Sequence, residues 1–300
     1  MLLKTERVDK HKQDDILIHC DILYICNYKC SYCYARANET FNQIATKNEL
    51  NNMIKNLEKI DKRISISILG GEPTLHPHLE YFIDKLRKLK NINRIIIITN
   101  GEKRLKESII NKIDAVIVSY HTEYAELSKF LETVVYYSNK IDVSVNAVYL
   151  KKYDELLESL YKKLKEYNIV FNMDLGHFKG KSLKTRVSNW VDIYTKEIKR
   201  NSYYVRYYYE DSIKEYVDIE MSLNNVRNFK GYYCEISELT MSFKKPDILM
   251  PVCSHNEKFT ITELNQRLKD KCYYICSCDD CSCQGGTLAN KAINLDLMRC

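Results

Sequence analysis

No stretch of this 300-residue chain approaches the run of about 18 apolar residues that a membrane-spanning helix needs. A secretory signal is missing too, since Met1-Leu2-Leu3 runs straight into Lys4, Glu6, Arg7 and Asp9. Nor is there a long block of like charge. The formal charge of +6 comes from 46 basic and 40 acidic residues scattered along the chain, which describes a solvated surface and gives no argument for nucleic acid as a partner. These absences place the chain in a reducing, cytoplasmic compartment and make a disulfide scaffold a poor account of its twelve cysteines. The cysteines bunch at ligand spacing, as metal sites require. The 24 tyrosines, with abundant Ile, Asn and Lys, read as a compositional bias and carry no function. A chain this long can bury one sizeable domain with a smaller appendage.

Two motifs carry the chemistry. Cys26-Asn27-Tyr28-Lys29-Cys30-Ser31-Tyr32-Cys33 is a C-x3-C-x2-C cluster following an apolar strand, and Gly70-Gly71-Glu72-Pro73 follows the next strand. A C-x2-C pair alone also fits half of a zinc site, and a Gly-Gly turn alone is ordinary loop chemistry. Three thiolates on a tight loop, however, suit a 4Fe-4S cubane, which normally takes four protein ligands. One iron is then left open.

The order and placement of these motifs resemble the radical S-adenosylmethionine (SAM) superfamily. The resemblance implies that SAM's amino and carboxylate groups occupy the open iron, that Tyr32 is the family's aromatic residue before the third cysteine, and that the Gly-Gly-Glu stretch receives the amino group. Gly70 and Gly71 would let backbone approach the methionine, and Glu72 would pair with its ammonium. Ser119 and Asn146 would contact SAM's ribose or carboxylate. Asn100 is a third candidate, although Thr99-Asn100-Gly101 also reads as a strand-ending turn. One electron, delivered by a flavodoxin- or ferredoxin-type donor, would cleave SAM to methionine and a 5'-deoxyadenosyl radical that takes a substrate hydrogen.

Strand and helix patterns alternate along the first two thirds of the chain. Strands are expected at 16–25, 64–69, 94–99, 115–119, 142–148 and 169–175. Between them, helices follow from apolar positions such as Leu50, Met53 and Leu57, behind a Thr46–Glu49 capping box. Six such units imply parallel strands with right-handed crossovers, as a barrel or an open sheet. The resemblance selects a partial (β/α)6 barrel, whose strand ends carry the site. His121 and Glu123, beyond Ser119, and Asp174 and His177, at the end of the sixth strand, are candidate catalytic groups there. A sixth helix is expected with Trp190 and Ile193 inward. The Tyr-rich stretch from Tyr203 to Tyr216 could stack on bases but reads better as packing.

A second cysteine field begins at Cys234. Eighteen residues lie between Cys234 and Cys253, around a hairpin expected at 239–243 and 248–252, and Cys272, Cys276, Cys278, Cys281 and Cys283 follow, with Cys300 last. This resembles the twitch subdomain, and less closely the SPASM domain, of radical SAM enzymes. It implies one auxiliary 4Fe-4S cluster on Cys234, Cys253 and two of the five later cysteines. A second cluster stays open, and a zinc ribbon is the alternative for Cys278 and Cys281. Cys20 reads as a buried apolar residue and Cys300 as a terminus. The expected domains are a radical SAM core over 1–222 and an auxiliary-cluster domain over 223–300. Only 25 residues precede Cys26, too few for a fused leader-peptide-binding domain. The expected activity is hydrogen abstraction that modifies a peptide or protein side chain. The alternatives are dehydrogenation of a sugar or aminocyclitol and, in another class, a zinc-stabilised nucleic-acid-binding module.

Overall fold

The computed structural model describes all residues except 10–14, 34–42, 176, 179–180, 183–185, 236–239, 246–247, 252–259, 271–272, 278, 282–289 and 300. The chain opens with β1 (Leu2–Asp9) and β2 (Ile16–Leu23). Helices and strands then alternate: α1 (Lys47–Glu58), β3 (Ile64–Gly70), α2 (Leu79–Leu86), β4 (Ile92–Thr99) and α3 (Glu107–Ile110). The alternation continues through β5 (Ala115–Tyr120), α4 (Leu127–Ser138), β6 (Asp142–Tyr149), α5 (Asp154–Glu166) and β7 (Val170–Leu175). Next come β8 (His177–Phe178), β9 (Lys181–Ser182), α6 (Asn189–Asn201), β10 (Tyr203–Tyr209), β11 (Ile213–Tyr216) and α7 (Asp218–Leu223). The last described elements are β12 (Tyr233–Cys234), β13 (Thr240–Lys245), β14 (Ile248–Pro251), α8 (Ile261–Asp270), β15 (Tyr274–Ile275), β16 (Lys291–Ala292) and α9 (Leu295–Arg299).

The main sheet has the order β14-β13-β2-β3-β4-β5-β6-β7, and β2 through β6 pair in parallel with their sequence neighbours. This is the partial (β/α)6 barrel that the family resemblance selected, the alternation alone having left an open sheet equally possible. Each strand from β3 to β7 is preceded by a helix, and the apolar stripes of these helices are covered: Leu50, Met53 and Leu57 of α1 and Phe82, Ile83 and Leu86 of α2 are fully or almost fully buried. The capping box that starts α1 is formed, with Glu49 N–H donating to Thr46 Oγ1 at 3.2 Å and Thr46 N–H to Glu49 Oε2 at 2.7 Å.

Register decides which side chains share a face. His19 lies beside Ser67, Ile98 beside Ile117 and Ser119 beside Asn146, so the alternate residues of these strands form one partly polar face. The opposite face carries Ile18, Cys20, Ile66, Ile68, Ile97, Val116, Val118 and Val145, all fully buried.

Residues cluster into two units that interleave along the chain. One holds Asp15–Met173 and Ser242–Leu249; the other holds Met1–Asp14, Asp174–Met241 and Met250–Cys300. The second unit has a sheet of order β11-β10-β1-β16-β12-β15, antiparallel in its defined pairings. Its core gathers Val205, Tyr207, Met221, Phe229, Cys276 and Cys281.

Three differences from the sequence reading have physical causes. The Tyr-rich stretch forms the β10–β11 hairpin, with Val205 and Tyr207 fully buried on one face, so its period is two. In α6 the buried residues are Trp190, Val191, Tyr194 and Thr195, while Ile193 is 56% exposed. At 100° per residue Ile193 falls about 130° from the centre of that buried arc. The expected hairpin is present as β13 and β14, but residues Ser242–Leu249 join the unit of the main sheet.

Candidate active site

The Gly-Gly turn at the end of β3 is pressed against the backbone that leads into the cysteine loop. Gly71 N–H donates to Leu23 O at 2.7 Å, and Glu72 N–H donates to Ile25 O at 2.9 Å. A Cβ on Gly70 would lie 2.2 Å from Leu23 O, and one on Gly71 would lie 2.0 Å from Ile25 O; Gly70 also has φ +131°. Both glycines are therefore required by chain-to-chain approach, a reason that sequence reading assigned to ligand approach instead.

Glu72 is almost fully buried and acts as a hub. Its Oε1 accepts from Thr74 N–H at 3.0 Å, Thr74 Oγ1 at 2.7 Å and Thr99 Oγ1 at 2.7 Å, and its Oε2 accepts from Asn100 N–H at 2.8 Å. The carboxylate thus ties the end of β3 to the end of β4. Asn100 continues the chain of contacts, donating from Nδ2 to Asn27 Oδ1 at 2.7 Å and accepting at Oδ1 from Glu102 N–H at 3.0 Å. Cys26, whose Sγ lies 4.0 Å from Asn100 Nδ2, is reached from the same residue.

The segment after β5 grips the other side of the cysteine loop. His121 Nδ1 lies 3.4 Å from Cys30 Sγ and 3.3 Å from Tyr32 Oη. Glu123 accepts from Ser31 N–H at 2.7 Å and from Ser31 Oγ at 2.6 Å, with Lys152 Nζ at 3.5 Å. Tyr124 donates to Lys29 O at 2.9 Å and stacks on Tyr28. Tyr28 in turn donates to Glu102 Oε2 at 2.7 Å. Sequence reading singled out His121 and Glu123 but not Ser31, Asn27, Tyr124, Thr74 or Thr99. Of these, only Thr74 offered a local signal, as the donor two residues after a helix-capping Glu72.

Ser119 and Asn146 are register partners on the partly polar face of the sheet, and Asn146 Oδ1 accepts from Asn172 Nδ2 at 3.2 Å. His19 and Asp21 on β2 are also buried polar residues, missed because an apolar run hid them. Asp174 and His177 belong to the other unit. There Asp174 accepts from Ser222 Oγ at 3.2 Å and lies 3.6 Å from Arg227. Of the later cysteines, Cys234, Cys276 and Cys281 are buried. Cys276 N–H donates to Tyr232 O at 2.8 Å and Cys281 N–H to Arg227 O at 2.8 Å. Cys253, Cys272, Cys278, Cys283 and Cys300 lie outside the described residues.

Electrostatics makes the cysteine loop a place for a cation. Burial pushes the Cys30 thiol up to about 12, and the neighbouring Cys33, Cys26 and Glu123 push in the same direction. Cys26 is raised as well, first by burial and then by the charges of Glu72 and Cys33, against hydrogen bonds from Tyr28 and Asn100 that favour the thiolate. Three thiols that repel one another on ionising are stabilised as thiolates by bound iron. Burial holds His121 down at about 4, so its imidazole is neutral near pH 7. At Glu123, burial acts upward but the Ser31 and Lys152 hydrogen bonds outweigh it, leaving the carboxyl below its usual range. Among the described residues no three His, Cys, Asp or Glu side chains converge as on a single ion. That spacing is compatible with a cubane, in which each thiolate bonds its own iron. The donor set, all sulfur and three in number, fits a cluster with one iron free of protein.

Comparison with known proteins agrees. Residues 21–133 match the Radical SAM superfamily. A probable GTP 3',8-cyclase of Methanocaldococcus jannaschii is 25% identical over 265 residues, covering 85% of this chain and 84% of that protein. The GTP 3',8-cyclase of Clostridium perfringens (strain SM101 / Type A) is 25% identical over 198 residues, covering 59% of this chain; the match spans only 60% of that relative's length. Among solved structures, native anSMEcpe with bound AdoMet and Kp18Cys peptide superposes with a TM-score of 0.56 at 18% identity, covering 85% of this chain and 82% of that one, which bears on the fold alone. With the three-cysteine loop and the Gly-Gly-Glu turn in one hydrogen-bonded assembly on a partial barrel, residues 21–133 make up a radical SAM domain, of a superfamily whose members use a 4Fe-4S cluster and SAM.

Proposed function

We propose that Cys26, Cys30 and Cys33 hold an open-iron 4Fe-4S cluster with SAM on it, and that the enzyme takes a hydrogen atom from a small polar substrate. One observation carries this reading: backbone hydrogen bonds from Gly71 and Glu72 to Leu23 and Ile25 fuse the two motifs into a single surface. When bound, the cofactor pair supplies a 5'-deoxyadenosyl radical by one-electron cleavage of the sulfonium. The residues of the chain bind and orient. The turn amides of Gly71 and Glu72 donate to the backbone leading into the loop, and because an ammonium only donates, we assign the carbonyl oxygens of the turn as its acceptors. Glu72 Oε2, with one internal donor, has capacity for one more. Ser119 and Asn146 are assigned to SAM's ribose or carboxylate, with Tyr32 beside the third cysteine. Asn100 and Glu123 have their polar atoms engaged by the cysteine loop or its neighbours and are assigned to positioning.

For the substrate, a nucleotide-like or sugar-like molecule is favoured by the relatives named GTP 3',8-cyclase and by the neutral hydrogen-bonding groups Ser67, Ser119, Asn146 and Asn172 on one face of the sheet. Modification of a peptide side chain is the second reading, favoured by the peptide bound in the anSMEcpe structure. An auxiliary cluster on Cys234, Cys253 and two of Cys272, Cys276, Cys278, Cys281 and Cys283, within an appended domain over 223–300, and a flavodoxin- or ferredoxin-type donor complete the proposal.

The test is anaerobic reconstitution followed by SAM and reductant. The expected product is 5'-deoxyadenosine, at background in Cys30→Ala. Deuterated GTP, sugars and peptides are then compared for deuterium transfer into that product; transfer from peptides alone would reverse the order of the two substrate readings. About eight irons per chain, falling to about four in Cys234→Ala, are expected if the auxiliary cluster is present.

A further inference from the structure

His121 brings a ring nitrogen to a thiol of the cysteine loop from outside that loop, with Nδ1 3.4 Å from Cys30 Sγ. Its ring is fixed from two sides. Tyr28 meets it edge-on at 5.8 Å and 80°, and Tyr32 stacks with it at 6.0 Å and 20°. The segment just after it is held as well, because Glu123 and Tyr124 bind Ser31 and Lys29 of the same loop. A side chain that only filled space there would need no nitrogen aimed at sulfur.

We infer that His121 is a positioning residue that donates a hydrogen bond from Nδ1–H to the Cys30 thiolate and thereby makes the cluster easier to reduce. The inference rests on the proposed assignment of Cys30 as an iron ligand. A metal-bound thiolate offers lone pairs only, so an imidazole nitrogen at this distance must carry the proton; the other tautomer would set lone pair against lone pair. A hydrogen bond to a ligand sulfur withdraws charge and stabilises the more negative, reduced state over the oxidised one. In a buried setting the effect is stronger than in water. Tyr32 Oη, 3.3 Å from the same Nδ1, is the competing partner for that nitrogen.

The experiment uses the reconstituted full chain without SAM and compares wild type with His121→Leu and His121→Asn, whose amide nitrogen takes the place of Nδ1. Redox titration followed by EPR reads the midpoint potential. In His121→Leu the equilibrium constant for reduction is expected to fall about tenfold, or about 59 mV for a one-electron couple, and His121→Asn is expected to recover most of it. An unchanged midpoint in His121→Leu, or equal shifts in both variants, overturns the inference. Should His121→Leu load no cluster, pulsed EPR of wild type labelled with 15N-histidine decides: a 15N coupling supports the bond and its absence overturns it. A wild-type protein that binds no SAM-responsive cluster would instead remove the assignment of Cys30 beneath it.

Discussion

Gly71 shows how a single missing Cβ can hold a site together. A methyl group there would sit 2.0 Å from Ile25 O, and because the neighbour is backbone, only a shift of the turn or of the cysteine loop could relieve it. Gly71→Ala is therefore expected to destabilise the protein by about 1–3 kcal/mol and to lower iron content after reconstitution, checked by urea denaturation and iron assay. At the same scale, the raised thiols of Cys26 and Cys30 set a pH dependence. Both groups have folded values above the unfolded one, so their contribution to apoprotein stability is fully present below the usual thiol range and is lost as pH rises through and beyond it. Thermal melts of the apoprotein are expected to fall at alkaline pH, and to fall less in Cys30→Ser. Iron loading should run the other way, improving as pH rises, since each ligand must lose its proton.

Among the elements, α1 is one whose start can be read from four letters. Thr46 and Glu49 satisfy each other's orphan groups, and Thr46→Ala is expected to cost about 1 kcal/mol in chemical denaturation. Hydrogen bonds from Thr46 hold the Glu49 carboxyl below its usual range. Its contribution is therefore present above the ordinary carboxylate pKa and lost as pH falls through the lower folded value. The stability gap between wild type and Glu49→Gln should accordingly narrow in acid. The hairpin β10–β11 teaches the converse. A run as dense in tyrosine as Tyr203-Tyr204-Val205-Arg206-Tyr207-Tyr208-Tyr209 hides its alternation, because tyrosine serves both faces: Tyr207 is buried, while Tyr208 donates to Glu6 Oε2 at 2.6 Å across to β1.

At the scale of the molecule, β1 clusters with residues from the far end of the chain, pairing with both β10 and β16. Within that unit Arg227 is the central cation. It is buried, donates to Cys281 O at 2.7 Å, and lies 3.6 Å from Asp174 and 3.7 Å from Asp280. Arg227→Met would leave two carboxylates without their cation and is expected to cost about 3 kcal/mol, with a loss of near-native melting behaviour in circular dichroism. The radical SAM match over residues 21–133 replaces the zinc-stabilised nucleic-acid module as the account of the Cys26–Cys33 loop.

The strand-helix alternation from Ile16 to Leu175, the capping box, the cysteine loop and the Gly-Gly-Glu turn were all legible from local pattern, because each is specified by residues within a few positions of one another. Tertiary structure alone decided what the glycines touch, that Glu72 and Asn100 spend their polar groups on the cysteine loop and its neighbours, and that His121, Glu123 and Tyr124 brace that loop from β5. Those contacts join residues tens of positions apart, and no periodicity records which strand end will lie beside which. Parallel register, set by the burial of one apolar face against the helices, is what brings them together.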